Sequence, residues 1–130
     1  YRSDCFDEVP LDRYDLIISN PPYEPTALMK TLPPEFKKEP RMALDGGTDG
    51  MDIIKKIIGQ AGARLNPKGV LLLEIGALHS AVETEYGHLD PVWLPTDDAS
   101  NSICLFQAEQ LIAETKRTGS GAKPSNRIRK

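Results

Sequence analysis

Residues 14–23 read Tyr-Asp-Leu-Ile-Ile-Ser-Asn-Pro-Pro-Tyr. The first six form a short apolar run rich in β-branched residues, which predicts a buried, parallel strand. Pro21 and Pro22 end it, because neither has an N–H to donate to a ladder. Residues 24–50 that follow are irregular. Pro25, Pro33, Pro34 and Pro40 break any helix longer than about two turns. A glycine-rich turn closes the stretch, with Gly46, Gly47 and Gly50 interleaved with Asp45 and Asp49.

From residue 51 to residue 65 the spacing is helical, with Ile53, Ile54, Ile57, Ile58, Ala61 and Leu65 on one face. Asp49 or Asp52 supplies the start signal, and Asn66-Pro67-Lys68-Gly69 the stop. Residues 70–75, Val-Leu-Leu-Leu-Glu-Ile, predict a second buried strand ended by Gly76. A short helix is expected over 77–86, strands over 92–96 and 102–107, and an amphipathic turn or two over 108–115. Strands alternating with helices argue for a parallel α/β sheet. The last two strands, joined by a short polar link, predict a hairpin and hence one antiparallel member at the edge. Four strands with one near the start make half of a doubly wound sheet. The expected division is residues 1–115 as part of a folded domain and residues 116–130 as a basic disordered tail.

A chain of 130 residues with 39% hydrophobic residues is one domain's worth with a real core. No apolar run approaches the length of a membrane-spanning helix, and no charged start leads into an apolar stretch as in a signal peptide. Cys5 and Cys104 are too few for a disulfide framework and wrongly spaced for zinc, so a cytoplasmic setting is expected. His79 and His88 have no ligand pattern around them, so no metal is expected. The net charge of −3 hides an asymmetry, since residues 115–130 hold six basic residues and no acid. Residues 1–114 hold ten basic and nineteen acidic residues. A solvated tail and a nucleic-acid contact are both open readings of that basic end.

Asn20-Pro21-Pro22-Tyr23 sits where function sits in open α/β sheets, at the carboxyl end of a strand. The residue types suit holding a planar nitrogen for alkylation. An amide nitrogen is a poor nucleophile because its lone pair is delocalised, so a site must fix both N–H bonds. Asn20 offers a side-chain carbonyl and Pro21 a main-chain carbonyl as acceptors, with the Asn20 NH2 tied down by the loop. The prolines stiffen the loop, so both acceptors are set before substrate arrives. Tyr23 supplies a flat apolar face for stacking. The plainer alternative is a strand-ending turn with a capping Asn and a core Tyr.

This string after a hydrophobic strand resembles motif IV of the amino-methyltransferases that use S-adenosylmethionine (AdoMet). Those include the DNA adenine methyltransferases and the protein-glutamine methyltransferases of the HemK/Prm type. Residues 39–52, Glu-Pro-Arg-Met-Ala-Leu-Asp-Gly-Gly-Thr-Asp-Gly-Met-Asp, are similar to the string EPxxALxGGxDGLD of the glutamine methyltransferases. Leu73-Glu74-Ile75-Gly76 resembles their LEIG strand end. Residues 32–40 and Val92-Trp93-Leu94 look most like the PrmB branch, whose substrate is a glutamine of the third protein of the large ribosomal subunit. The resemblance covers about residues 12–112. It implies the carboxyl-terminal half of a class I, Rossmann-like methyltransferase sheet, holding its fourth to seventh strands with the last antiparallel. It also implies AdoMet as cofactor, a ribosomal protein as partner, and Asn20, Pro21, Pro22 and Tyr23 as the site, with Asn20 bordering the cofactor.

The family's AdoMet-binding glycine loop does not occur in these 130 residues. Gly46 to Gly50 is no substitute, because no strand runs into it. The expectation is a fragment that binds AdoMet weakly or not at all by itself. Two other functions stay open. One is a DNA or RNA adenine methyltransferase, which the acidic body disfavours; the other is a non-catalytic interaction domain of methyltransferase shape. Of the remaining residues, Asp45 and Asp49 read as turn formers, Glu39 and Arg41 as a possible pair over the site, Glu74 as either packing or functional, and Trp93 as core.

Overall fold

A computed structural model of the chain describes residues 1–97 and 100–118. Its elements in order are β1 (Tyr14–Ser19), α1 (Asp52–Arg64), β2 (Leu65–Glu74), α2 (His79–Tyr86), β3 (Val92–Leu94), β4 (Ile103–Gln107) and α3 (Ala108–Thr118), with short 3-10 turns between them. The four strands form one sheet in the order β1-β2-β4-β3. β1 and β2 are parallel, while β4 runs antiparallel to both of its neighbours.

The hairpin of β3 and β4 is as expected, but the antiparallel strand is not at the edge. β4 lies between β2 and β3. Its inward side chains, Cys104 and Phe106, are fully buried, so it needs a paired strand on either side. β3 is three residues long with Val92 46% exposed, the short form that an edge tolerates.

The register sets which side chains share a face. Ile17 lies opposite Leu71, which lies opposite Phe106, and Leu73 lies opposite Cys104. These five face the helices, whose Ile54, Ile57, Ile58, Ala61 and Leu111 complete the core. The Tyr86 ring meets Phe106 edge-on, with centroids 6.3 Å apart. Strand alternation sends Leu16, Ile18, Leu72 and Leu105 to the opposite face. There Leu16 is 51% and Ile18 66% exposed. The expectation of a buried β1 is therefore half wrong: Ile17 alone of its residues is buried, because β1 is an edge strand with helices on one side only.

Two boundaries also move. Residues 66–69, read as a stop, lie inside β2, where a five-residue step from Leu65 to Val70 opposes a two-residue step from Tyr14 to Leu16. The extra residues bulge out of the ladder, which is how Pro67 is tolerated there. α3 runs to Thr118, past the expected boundary at 115, so residues 116–118 are helical rather than tail. Arg117 there donates to Glu114 at 2.6 and 2.8 Å. The rest of the basic tail, residues 119–130, lies outside the described residues.

Arg64, near the end of α1, fixes the chain's first residues. Only 8% exposed, it donates to the carbonyls of Phe6, Val9 and Pro10, and its guanidinium lies 5.4 Å from the Phe6 ring centroid. Lys56 adds ion pairs to Asp4 at 2.7 Å and Asp7 at 2.6 Å. The helical pattern marked α1 correctly but carried no sign of this strap.

Phe106→Ala should cost about 3–5 kcal/mol of unfolding free energy, as for a fully buried aromatic. Ile18→Thr should stay within about 0.5 kcal/mol, because the position is exposed and the β-branch is kept. Urea unfolding of the chain measures both, and equal costs would contradict the one-sided sheet.

Candidate active site

The carboxyl end of β1 delivers Asn20-Pro21-Pro22-Tyr23 to the rim of the sheet beside the end of β2. Pro21 is buried, Pro22 and Tyr23 are half-buried, and Asn20 is exposed. Asn20, Pro21 and Pro22 form a wall shared by two concavities. On one side is a broad cleft of about 1280 Å³, reached also by Cys5, Glu8, Gly47 and Asp52. On the other is a smaller pocket of about 360 Å³, bounded by Tyr23, Phe36, Glu39 and Leu44. The Asn20 side chain makes no hydrogen bond within the described residues, so its NH2 is not tied down by the loop as expected. The exposed amide is available to a ligand in either concavity.

The chain beyond Tyr23 is held by the glycine-rich turn. Glu24 N–H donates to the Leu44 carbonyl at 2.9 Å, Gly46 N–H to the Glu24 carbonyl at 2.8 Å, and Thr26 N–H to the Gly47 carbonyl at 2.8 Å. These form a short parallel bridge between Glu24 and Asp45. Asp45 ties the two segments together by side chain as well. It accepts from Thr26 Oγ1 at 2.6 Å, Gly47 N–H at 3.1 Å and Arg41 Nε at 3.0 Å. The expected pairing of Glu39 with Arg41 is thus replaced by Arg41 with Asp45, one helical turn along. Asp49 is a turn former as read, accepting the Met51 N–H at 2.9 Å just before α1.

Glycine is required where this turn meets the motif. A Cβ on Gly46 would lie 2.7 Å from Tyr23 Cα. One on Gly50, at φ +80°, would lie 2.3 Å from the Tyr23 carbonyl oxygen. From β2 the LEIG strand end closes on the same residue: a Cβ on Gly76, at φ +53°, would lie 2.4 Å from the Tyr23 ring. The sequence places Gly46 and Gly50 in a turn and Gly76 at a strand end but does not connect them to Tyr23. The available signal was that Gly46, Gly47 and Gly50 need backbone freedom in a place where no phosphate loop fits.

Burial, and secondarily the Glu74 carboxylate, push the Tyr23 phenol up to about 12. The ring is therefore neutral at physiological pH. Burial likewise pushes the Cys104 thiol up to about 12, which leaves it inert under the sheet. No group of three or more His, Cys, Asp and Glu among the described residues is arranged to hold a metal ion.

No family model matches the chain. Individual proteins do. A ribosomal protein uL3 glutamine methyltransferase from Burkholderia pseudomallei is 49% identical over 104 residues, which is 80% of this chain and 34% of that protein. The protein of the same name from Bordetella pertussis is 43% identical over 110 residues, 85% of this chain and 37% of the relative. A third, from Francisella tularensis, is 34% identical over 111 residues, 85% of this chain and 35% of the relative. The chain is similar to these glutamine methyltransferases over most of its own length. It spans about a third of the length of the curated relatives it matches. Its sheet, with β4 reversed between β2 and β3, agrees with the class I methyltransferase segment that the motifs implied.

Gly50→Ala should lower stability by about 2 kcal/mol or more, combining a left-handed backbone with a backbone collision. Thermal melting of the chain checks this against Gly59→Ala, whose Cβ meets nothing within 4 Å. Asp45 gives a pH signature. Hydrogen bonds from Thr26 and then Gly47, with the Arg41 bond after them, hold its carboxyl below the ordinary 3.8. A depressed folded value means its stabilisation is complete above pH 3.8 and is lost as pH falls through the lower folded value. Asp45→Asn should therefore be less stable than the parent at neutral pH, with the gap narrowing below pH 3.8. Urea midpoints measured across that range check it.

Proposed function

We propose that this chain forms the acceptor side of a methyltransferase site that modifies the side-chain amide nitrogen of a glutamine in ribosomal protein uL3. The observation that carries the reading is the wall of Asn20, Pro21 and Pro22 standing between a large cleft and a small pocket. A group-transfer enzyme needs such a wall, so that donor and acceptor meet at one edge.

In this reading a glutamine side chain enters the smaller pocket and lies against the Tyr23 ring. Asn20 Oδ1 and the Pro21 carbonyl accept its two N–H bonds, which turns the nitrogen lone pair toward the larger cleft. Both acceptors strengthen their hold as the nitrogen gains positive charge, which is where preset dipoles act most. The broad cleft is large enough for a nucleoside-sized donor, and the carboxylates of Glu8 and Asp52 on its walls suit a cationic one. AdoMet would supply the methyl group there from its sulfonium, leaving a neutral thioether, and the methylated nitrogen would lose one of its two protons to water. Asn20 and the backbone of Pro21 would border it, and the glycine loop that would grip the rest is not among these residues. Work on a ribosomal protein fits a cytoplasmic setting. A contact of the basic tail with ribosomal RNA would be an accessory to it. The relatives' protein substrate favours this reading over an adenine methyltransferase.

The test uses the chain alone and the chain grafted in place of the matching third of the Burkholderia pseudomallei relative. Calorimetry should show the chain alone binding AdoMet far more weakly than the graft, and the graft should methylate uL3. In the graft, Asn20→Ala should lower kcat by about a hundredfold or more while changing AdoMet affinity little. A low-micromolar Kd for the chain alone would overturn the one-wall picture. Near-normal methylation by the Asn20→Ala graft would reduce the motif to a strand-ending turn.

A further inference from the structure

Glu74 is the last residue of β2, two positions before Gly76. Its Oε1 accepts the Gly76 N–H at 2.9 Å and so helps hold Gly76 in the left-handed conformation. The Tyr23 ring packs on that glycine with no room for a Cβ between them. The other oxygen, Oε2, is buried and has no hydrogen-bond partner in the structure. A buried carboxylate oxygen without a donor is costly, and each such atom in a folded protein calls for an explanation. The Tyr23 phenol is the neighbouring donor: after burial, the charge and the hydrogen-bonding reach of the Glu74 carboxylate push its ionisation up, yet Oε2 has no partner at full hydrogen-bond geometry.

We propose that Glu74 is a positioning residue for Tyr23: one carboxylate oxygen sets the Gly76 turn that the ring rests on, and the other takes the phenol hydrogen when an acceptor amide presses the ring home. The inference rests on the proposed role of Tyr23 as the stacking face. It adds a reason why the strand end carries an acid next to a glycine. The carboxylate touches neither acceptor nor donor in this scheme. It acts by limiting the tilt of the ring, and thereby the plane in which the amide lies.

The first test needs no methyl transfer. The full chain is made with 3-fluorotyrosine, whose phenol titrates low enough to be followed before alkaline unfolding, and 19F signals are read against pH. Tyr23→Phe identifies the Tyr23 signal by its loss. Tyr23 should titrate later than free 3-fluorotyrosine, because burial raises it. Glu74→Gln should bring the Tyr23 midpoint down by on the order of half a pH unit, because the like charge is gone while the burial remains. An unmoved midpoint overturns the proposal. The second test is a double-mutant cycle in the graft. Glu74→Gln and Tyr23→Phe should each lower kcat several-fold, and the double variant should be no worse than the poorer single one. Independent, multiplying losses overturn the proposal. Because the titration stands apart from methylation, a failure of the proposed function leaves that first result readable.

Discussion

Three backbones meet at Tyr23 with no space for a side chain between them. Gly46 and Gly50 come from the turn before α1, and Gly76 from the turn after β2. Packing density of this kind allows few adjustments, so the position of the motif loop is set jointly by β1, the glycine turn and the end of β2. Two of these glycines have positive φ, which non-glycine residues adopt at a cost of about 1–2 kcal/mol. The irregular stretch 24–50 follows from the same constraint. Its prolines prevent a long helix, its short 3-10 turns use up its length, and its end is brought back beside Glu24 by three backbone hydrogen bonds. The rim of the candidate site is thus assembled from segments more than fifty residues apart.

Much of the fold could be read from the sequence, because local patterns and local physics coincide there. The isoleucine face of α1 is the face that is buried, and the two prolines after Ser19 do end β1. Failures came where a long-range partner decides. The apolar run Leu16 to Ile18 has the composition of a doubly covered strand, yet its exposure depends on what lies beside and above it. The place of β4 inside the sheet depends on pairing with β2, thirty residues away, while the hairpin with β3 was visible locally. Pro67 is a reliable breaker only where the ladder needs its N–H, and the bulge removes that need. At the candidate site, the motif's place at the end of β1 was legible, because two successive prolines must end a strand. Its supports were not. Arg41 had two acids within reach in sequence, Glu39 and Asp45, and only the fold shows that the i,i+4 partner is chosen.

The two faces of the sheet differ in their cover. Among the described residues, helices cover the side of Leu71, Leu73 and Phe106, and the side of Leu16 and Ile18 is open, as is the hydrogen-bonding edge of β1. An exposed apolar edge strand is a liability that natural sheets blunt with charge, proline or a covering element. In β1 only Asp15 serves that purpose. The chain also matches only about a third of the length of its relatives. Both facts bear on how the site is built. β1 carries the motif on its carboxyl end while its outer edge is unpaired, so any strand or helix added along that edge would bear directly on Asn20.

The large cleft lies between the motif loop and α1, whose Asp52, Ile53 and Ile57 line it. Its walls include the first residues of the chain, Arg2 to Cys5, which Arg64 and Lys56 strap to α1. The small pocket has the opposite character. Phe36, Ala43 and Leu44 of the 24–50 stretch close it, and that stretch is fixed through Asp45 and the glycine turn. A wall between a wide open space and a narrow framed one gives the two sides unequal demands. The narrow side can discriminate by shape, because its lining is held by many short hydrogen bonds. The wide side can only offer a surface, so tight binding there needs more protein around it. Under the proposed function, the framed narrow side suits an acceptor amide and the wide side a donor.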